Sequence, residues 1–279
     1  GERDRRQAVR LGDGRVRDLP GDRVDAQREG RRAVGHEVDP EQLRGKERQH
    51  HAAVGAVAGD QVIDDLPTGN QRAREFADSI DETRLRKRIK NYVDLELIKF
   101  AIRKKNATEV VQLADAGELN YLQKSWSYTQ AARLLLESDR DGALDLLEKA
   151  TDQAERIDAD DRDASFALIH VANQFLAIDH TRAWEVMNKT VKFANSAEGF
   201  TGDDISMPSG SMIVTKNGIR FIRLPDADFN FSRVLRALAQ DDLFRSIELA
   251  KGFKYDATRA YATLAIARAV LESNSAFKK

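Results

Sequence analysis

The chain has 279 residues, with 45 Lys and Arg against 46 Asp and Glu and a formal net charge of −1. That balance gives no general pull toward nucleic acid or an anionic membrane, no run approaches the roughly 18 apolar residues of a membrane span, and the absence of cysteine excludes disulfides and thiolate chemistry. The even charge hides an uneven chain: all 19 aromatic residues lie at or after Phe76, and the first 75 positions hold 14 Arg but a single Lys, Lys46.

Residues 1–70 therefore read as an Arg-rich, aromatic-free arm. It carries turn pairs such as Asp13-Gly14 and Pro20-Gly21, has too few apolar runs to cover a core, and is expected to be disordered or poorly packed. Text of this composition, over about residues 1–65, also arises when GC-rich DNA is read in a shifted frame. A first residue of Gly1 rather than Met fits a processed product or a fragment.

From residue 71 the pattern becomes that of amphipathic helices. Ala73, Phe76 and Ala77 end a first helix, and Glu82 to Arg103 form a longer one with Ile89, Val93, Leu97 and Ala101 on a single stripe. Asn106 caps a short helix carrying Val110, Val111 and Leu113, which Gly117 stops. Leu119 to Glu137 is the next, and Asp139 to Ile157 follows with Ala143, Leu146, Leu147, Ala150, Ala154 and Ile157 in register. Asp161 opens a helix with Ser165, Leu168, Ile169 and Ala172. Asp256 opens the last one with Ala260, Thr263, Leu264 and Ala267 at the same offsets. An Asp in the cap position accepts backbone N–H bonds and complements the helix dipole, so these acids read as punctuation rather than as catalytic groups.

Three of the opening aspartates head a common unit. Asp139 is followed by Ala143, Leu146 and Leu147; Asp179 by Ala183, Val186 and Met187; Asp242 by Ser246, Leu249 and Ala250. A small residue at the first offset lets helices approach closely, and the larger ones fill the neighbouring layer. The spacing resembles tetratricopeptide-type and related α-solenoid repeats over 71–279. It departs from them in a unit nearer 40 than 34 residues and in lacking the family's Trp, Gly, Tyr and Pro pattern. The text around Asn195 to Gly202 and Arg259 to Glu272 is also similar to uncharacterised bacterial helical-repeat proteins, a likeness that implies no activity.

Between Asp179 and Asp242 the unit is longer, and the surplus falls in an insertion at 199–225, where Gly199, Gly202, Pro208 and Gly210 break any helix. Within it Ser211 to Thr215 and Ile219 to Arg223 flank Asn217-Gly218, the strongest short hairpin signal. The expected fold is all-α: an α-solenoid of antiparallel helix pairs, about eight or nine helices in all, with one β-hairpin inserted near 211–223.

Catalytic signatures are weak by comparison. His36, His50, His51, His170 and His180 form no ligand pattern with carboxylates, and Ser209-Gly210-Ser211 lacks the strand-to-helix setting of a hydrolase elbow. The acidic run from Asp158 to Asp163 lacks the spaced oxygens and glycine of a calcium loop. No metal and no cofactor are expected. Arg84, Arg86, Lys87, Arg88 and Lys90 are interleaved with acids and read as the solvated face of a long helix, and Trp126 and Trp184 read as core.

The function expected is non-catalytic, a scaffold that binds a protein or peptide partner through a concave face and the inserted hairpin. Its contact residues would be Phe200, Ile213, Lys216, Asn217, Arg220, Phe221 and Arg223, since loops on rigid scaffolds carry function. Two other readings stand beside it. One is an enzyme of unspecified reaction with a site beside the insertion, using Asp203 or Asp204 and Arg220. The other is nucleic-acid binding through the Arg-rich arm and the basic helix.

Overall fold

The computed structural model describes residues 72–202, 211–215, 218–225 and 229–276. The expected arm and the domain boundary at 70–71 lie outside them. The fold is helical, and neighbouring helices pack as pairs. Ten helices occur among the described residues: α1 Arg72–Asp78, α2 Thr83–Arg103, α3 Ala107–Ala116, α4 Tyr121–Leu135, α5 Arg140–Glu155, α6 Arg162–Phe175 and α7 His180–Ser196, then α8 Phe231–Asp241, α9 Leu243–Lys251 and α10 Asp256–Ala276. Between α7 and α8, β1 (Ser211–Thr215) and β2 (Gly218–Ile222) run antiparallel with Ile213 opposite Arg220 and Met212 opposite Phe221.

Side-chain caps set most of the helix starts. Asp139, Asp179 and Asp242 each accept a bond from the backbone N–H three residues on, at 2.9, 3.1 and 2.9 Å. Each also donates its own N–H to a carbonyl in the last turn of the preceding helix, on Leu135, Phe175 and Leu238. One residue thus ends one helix and starts the next, which is why α4 and α5, α6 and α7, and α8 and α9 are joined by tight turns. Asp256 departs from the expectation: it is the first residue of α10, highly exposed and paired with Arg259, rather than its cap. Asn120 was not foreseen as a cap. It forms a reciprocal capping box with Gln123 at the start of α4. Gln123 in turn exchanges two amide bonds with Asn91, at 2.6 and 3.0 Å, tying α2 to α4.

The packing alternates. α2, α4, α6, α8 and α10 touch in that succession, while α3, α5, α7 and α9 each lie against members of this row. The row is the dry layer: residues 125–132 of α4 and 163–172 of α6 are all buried. A helix buried around its whole circumference has no room for a polar face, so its polar residues are short or amide-bearing. Ser125 and Gln130 on α4 stand where α6 has Ser165 and His170, forty positions later, and all four are buried. Between the flanking helices the same ion pair recurs at that interval, Asp115 with Lys149 at 2.9 Å and Glu155 with Lys189.

Asp94 on α2 shows how the first helices are clasped. Its buried carboxylate takes Nε and Nη2 of Arg74 on α1 at 2.7 and 2.6 Å, and the backbone N–H of Glu118 at 2.8 Å. Gly117 leaves room for this: an added Cβ would stand 2.6 Å from the Leu113 carbonyl and 3.1 Å from Asp94 Oδ2.

Candidate functional site

Among the described residues, the segment that leads from the strands into α8 packs against the helices. Leu224 and Phe229 are buried. The Phe229 ring lies 5.1 Å from the imidazole of His170 on α6, and His170 Nε2 is 3.4 Å from Gln130 Nε2 on α4. Gln130 also lines a cleft of about 310 Å³ between α2 and α4, which Pro225 helps to close.

Helical spacing builds that cleft. α4 presents Trp126, Gln130 and Arg133 on one stripe, and α2 presents Lys99, Ile102 and Arg103 on another. Trp126 is buried and Ile102 half-buried, so the floor is apolar, whereas Arg103 and Arg133 are exposed at the rim. Lys99 Nζ bonds Glu96 at 2.8 Å, and the Arg103 guanidinium stands 5.6 Å from the Phe100 ring. Three cations and no acid line the cleft, in a chain that is nearly neutral as a whole.

Two other clefts have an arginine engaged within the fold. Between α5 and α7, Arg182 bridges Glu148 and Glu185 at 3.1 and 3.3 Å. Between α7 and α9, the Arg245 guanidinium sits 4.3 Å from the centre of the Trp184 ring. Trp184 Nε1 donates to Asp241 Oδ2 at 2.9 Å, and that bond, with His180 close by, holds the Asp241 carboxyl below the usual range. Burial raises the Tyr128 hydroxyl, reinforced by its bond to Asp115. Burial also lifts Asp115, but bonds from Lys149 and Tyr128 outweigh it and leave that carboxyl low. Both perturbed carboxylates belong to networks that join helices.

The contact residues expected from the sequence are not one cluster in kind. Phe200 is a core residue: it is 1% exposed, meets Phe166 and Phe231 edge to face at 5.3 and 5.9 Å, and accepts a bond from Thr258 on its carbonyl. A ring held this way is not presented to a partner, so Phe200 is core and not a contact residue. Ile213, Arg220 and Phe221 lie on the paired strands, and Arg223 is exposed just beyond them. Lys216, Asn217, Asp203 and Asp204 lie outside the described residues. Trp126 and Trp184 are both buried. Trp126 nevertheless floors the cleft, a role that the default reading of a helical Trp as core conceals.

Among the described residues no group of three His, Asp or Glu is placed to hold a metal ion, and no helix is long and apolar enough to cross a membrane. A scan of family models, a search of curated proteins and a search of solved structures each found no match to this chain.

Proposed function

We propose that this chain is a non-catalytic helical-repeat scaffold, solenoidal in the tetratricopeptide manner, that binds a protein or peptide partner through a concave face and its inserted hairpin. Support for the repeat comes from the recurrence of the Asp115–Lys149 ion pair as Glu155–Lys189 and of the Asp139 turn as the Asp179 turn. The observation that carries the binding reading is the cleft beside Pro225, where insertion and helices meet over an apolar floor with a rim of Lys99, Arg103 and Arg133. An extended acidic segment with an apolar side chain fits that chemistry: carboxylates meet two guanidiniums in a bidentate fashion while the apolar group covers Trp126.

The test uses the full chain and two pools of labelled twelve-residue peptides, one rich in Asp, Glu and Leu, the other with Lys in place of the acids. The acidic pool should bind more tightly, with affinity falling as salt rises. Reversing Lys99, Arg103 and Arg133 to Glu should cost at least about tenfold, in keeping with the few kcal/mol of charge pairs at a partly dry site. Deleting 203–223 should weaken binding as well. Equal binding of the two pools, or a reversed variant that binds as before, would sink the reading.

A further inference from the structure

Forty positions along the chain, the stripe that lines the cleft beside Pro225 recurs. Trp126, Gln130 and Arg133 on α4 have Phe166, His170 and Asn173 as counterparts on α6, and the first two of each set are buried. On α6 that pair meets phenylalanine rings from either side of the strands. Phe200 lies edge to face with Phe166 at 5.3 Å, and Phe229 stands 5.1 Å from the His170 ring with the planes tilted by 48°. On α4 the matching pair, an indole and an amide, borders the cleft of about 310 Å³, a space that accommodates one aromatic side chain. Charge distinguishes the two places. Arg133 stands where α6 has the neutral Asn173, and Arg103 joins it at the rim. Lys99 is held by Glu96, but neither Arg103 nor Arg133 has a carboxylate partner among the described residues. The sequence that leads into Phe229 is Asp226-Ala227-Asp228, so this chain joins acids to the covering ring within four residues.

We infer that the cleft beside Pro225 takes an aromatic side chain flanked by acids on a partner peptide, in the way that His170 meets Phe229 one repeat further on. The inference rests on the proposed function and narrows it: the partner's segment is acidic as before, and the group that covers Trp126 and Gln130 is a ring rather than an aliphatic chain. A ring set edge to face or offset against an indole gains more than its buried area alone supplies. The flanking carboxylates accept paired bonds from the Arg103 and Arg133 guanidiniums, which fixes the segment across the rim while the ring enters between α2 and α4. The repeat thus supplies both halves of the argument. The covered pair on α6 gives the kind of group, and the change from Asn173 to Arg133 gives the charge that accompanies it at the cleft.

Three labelled peptides of one length, each rich in Asp and Glu and carrying a single central Phe, Leu or Ala, are titrated against the full chain. The Phe peptide should bind about fivefold more tightly than the Leu peptide, the worth of an aromatic pair beyond its area, and the Ala peptide should bind least. Gln130→His gives α4 the imidazole that α6 already has, and the preference for Phe over Leu should rise in that variant; a circular-dichroism spectrum like that of the wild type checks that the helices are intact. Equal affinity for Phe and Leu, with both lost when Arg103 and Arg133 are changed to Glu, would overturn this inference and leave the acidic-peptide reading standing. Binding of all three peptides that survives the change of the two arginines would remove the cleft reading and this inference with it. A preference for Phe that stays the same in Gln130→His would place the ring away from residue 130 and overturn the repeat argument.

Discussion

Gly202 offers the sharpest test of how the insertion leaves the helical body. Its φ of +76° lies in the left-handed region, and a Cβ there would stand 2.3 Å from Cδ1 of Phe231 and 2.6 Å from Cε1. Gly199 has the same kind of backbone, φ +84°, with nothing within 4 Å of its Cβ position. Gly199→Ala therefore reads backbone strain alone, about 1–2 kcal/mol. Gly202→Ala adds the overlap, and the Phe231 ring has little room to retreat: it is fully buried, edge to face with Phe200 and Phe253 at 5.9 and 5.5 Å and stacked on Tyr261. Overpacking of this kind costs about 1–3 kcal/mol, so the second variant should be less stable than the first by that amount. Urea unfolding followed by the fluorescence of the buried Trp126 and Trp184 gives both values, with equal slopes as the check that only stability has changed. Phe231→Leu should recover part of the loss in the Gly202→Ala background and none in the Gly199→Ala background. Equal losses for the two alanines, within a few tenths of a kcal/mol, would refute the steric account.

Two further outcomes follow from the turns and the networks. Replacing Asp139, Asp179 or Asp242 by Ala should cost about 0.5–2 kcal/mol each, while Asn, which caps equally well, should cost far less; urea midpoints that fall alike for Ala and Asn would show that the bond to the N–H three residues on is not what matters. Tyr128 has its hydroxyl raised above the ordinary value by burial and by Asp115, so the folded state holds a proton that the unfolded chain releases near pH 10. Its contribution is intact below that pH and is lost as pH rises toward the folded value. Thermal melts should fall more steeply above about pH 10 for the wild type than for Tyr128→Phe; parallel curves would contradict the assignment.

Much of the helical content was legible in the sequence because it rests on local chemistry. Glu82 to Arg103, expected as one helix, is Thr83–Arg103, and the Asp139, Asp161 and Asp179 starts stand where the caps put them. Asn120 was legible too, since its box closes locally with Gln123 three residues on; what the sequence hides is that Asn91, 32 residues back from Gln123, ties that box to α2. Phe200 was misplaced for a related reason. It sits among glycines that mark a loop, and only the arrival of α8 and α10 makes that loop position a core position. The cleft was the least legible feature, since Arg103 on one helix and Arg133 on another become neighbours only through the α2–α4 contact. What the sequence did hold was the forty-residue echo of Ser125 and Gln130 in Ser165 and His170, visible once the buried row is known to be polar in places.

Among the described residues, every extensive helix contact joins helices one or two apart in chain order. Such a topology has low contact order and folds quickly, because little loop entropy is lost before each contact forms. It also suits synthesis. As the chain leaves the ribosome, α5 can settle on α4 before α7 exists, and no helix waits for a distant partner while its apolar stripe lies open. The exception is the join between α7 and α8, where the rings of Phe200 and Phe166 must stay uncovered until Phe231 arrives; that delay is where a chaperone, or an aggregate, would find its opening.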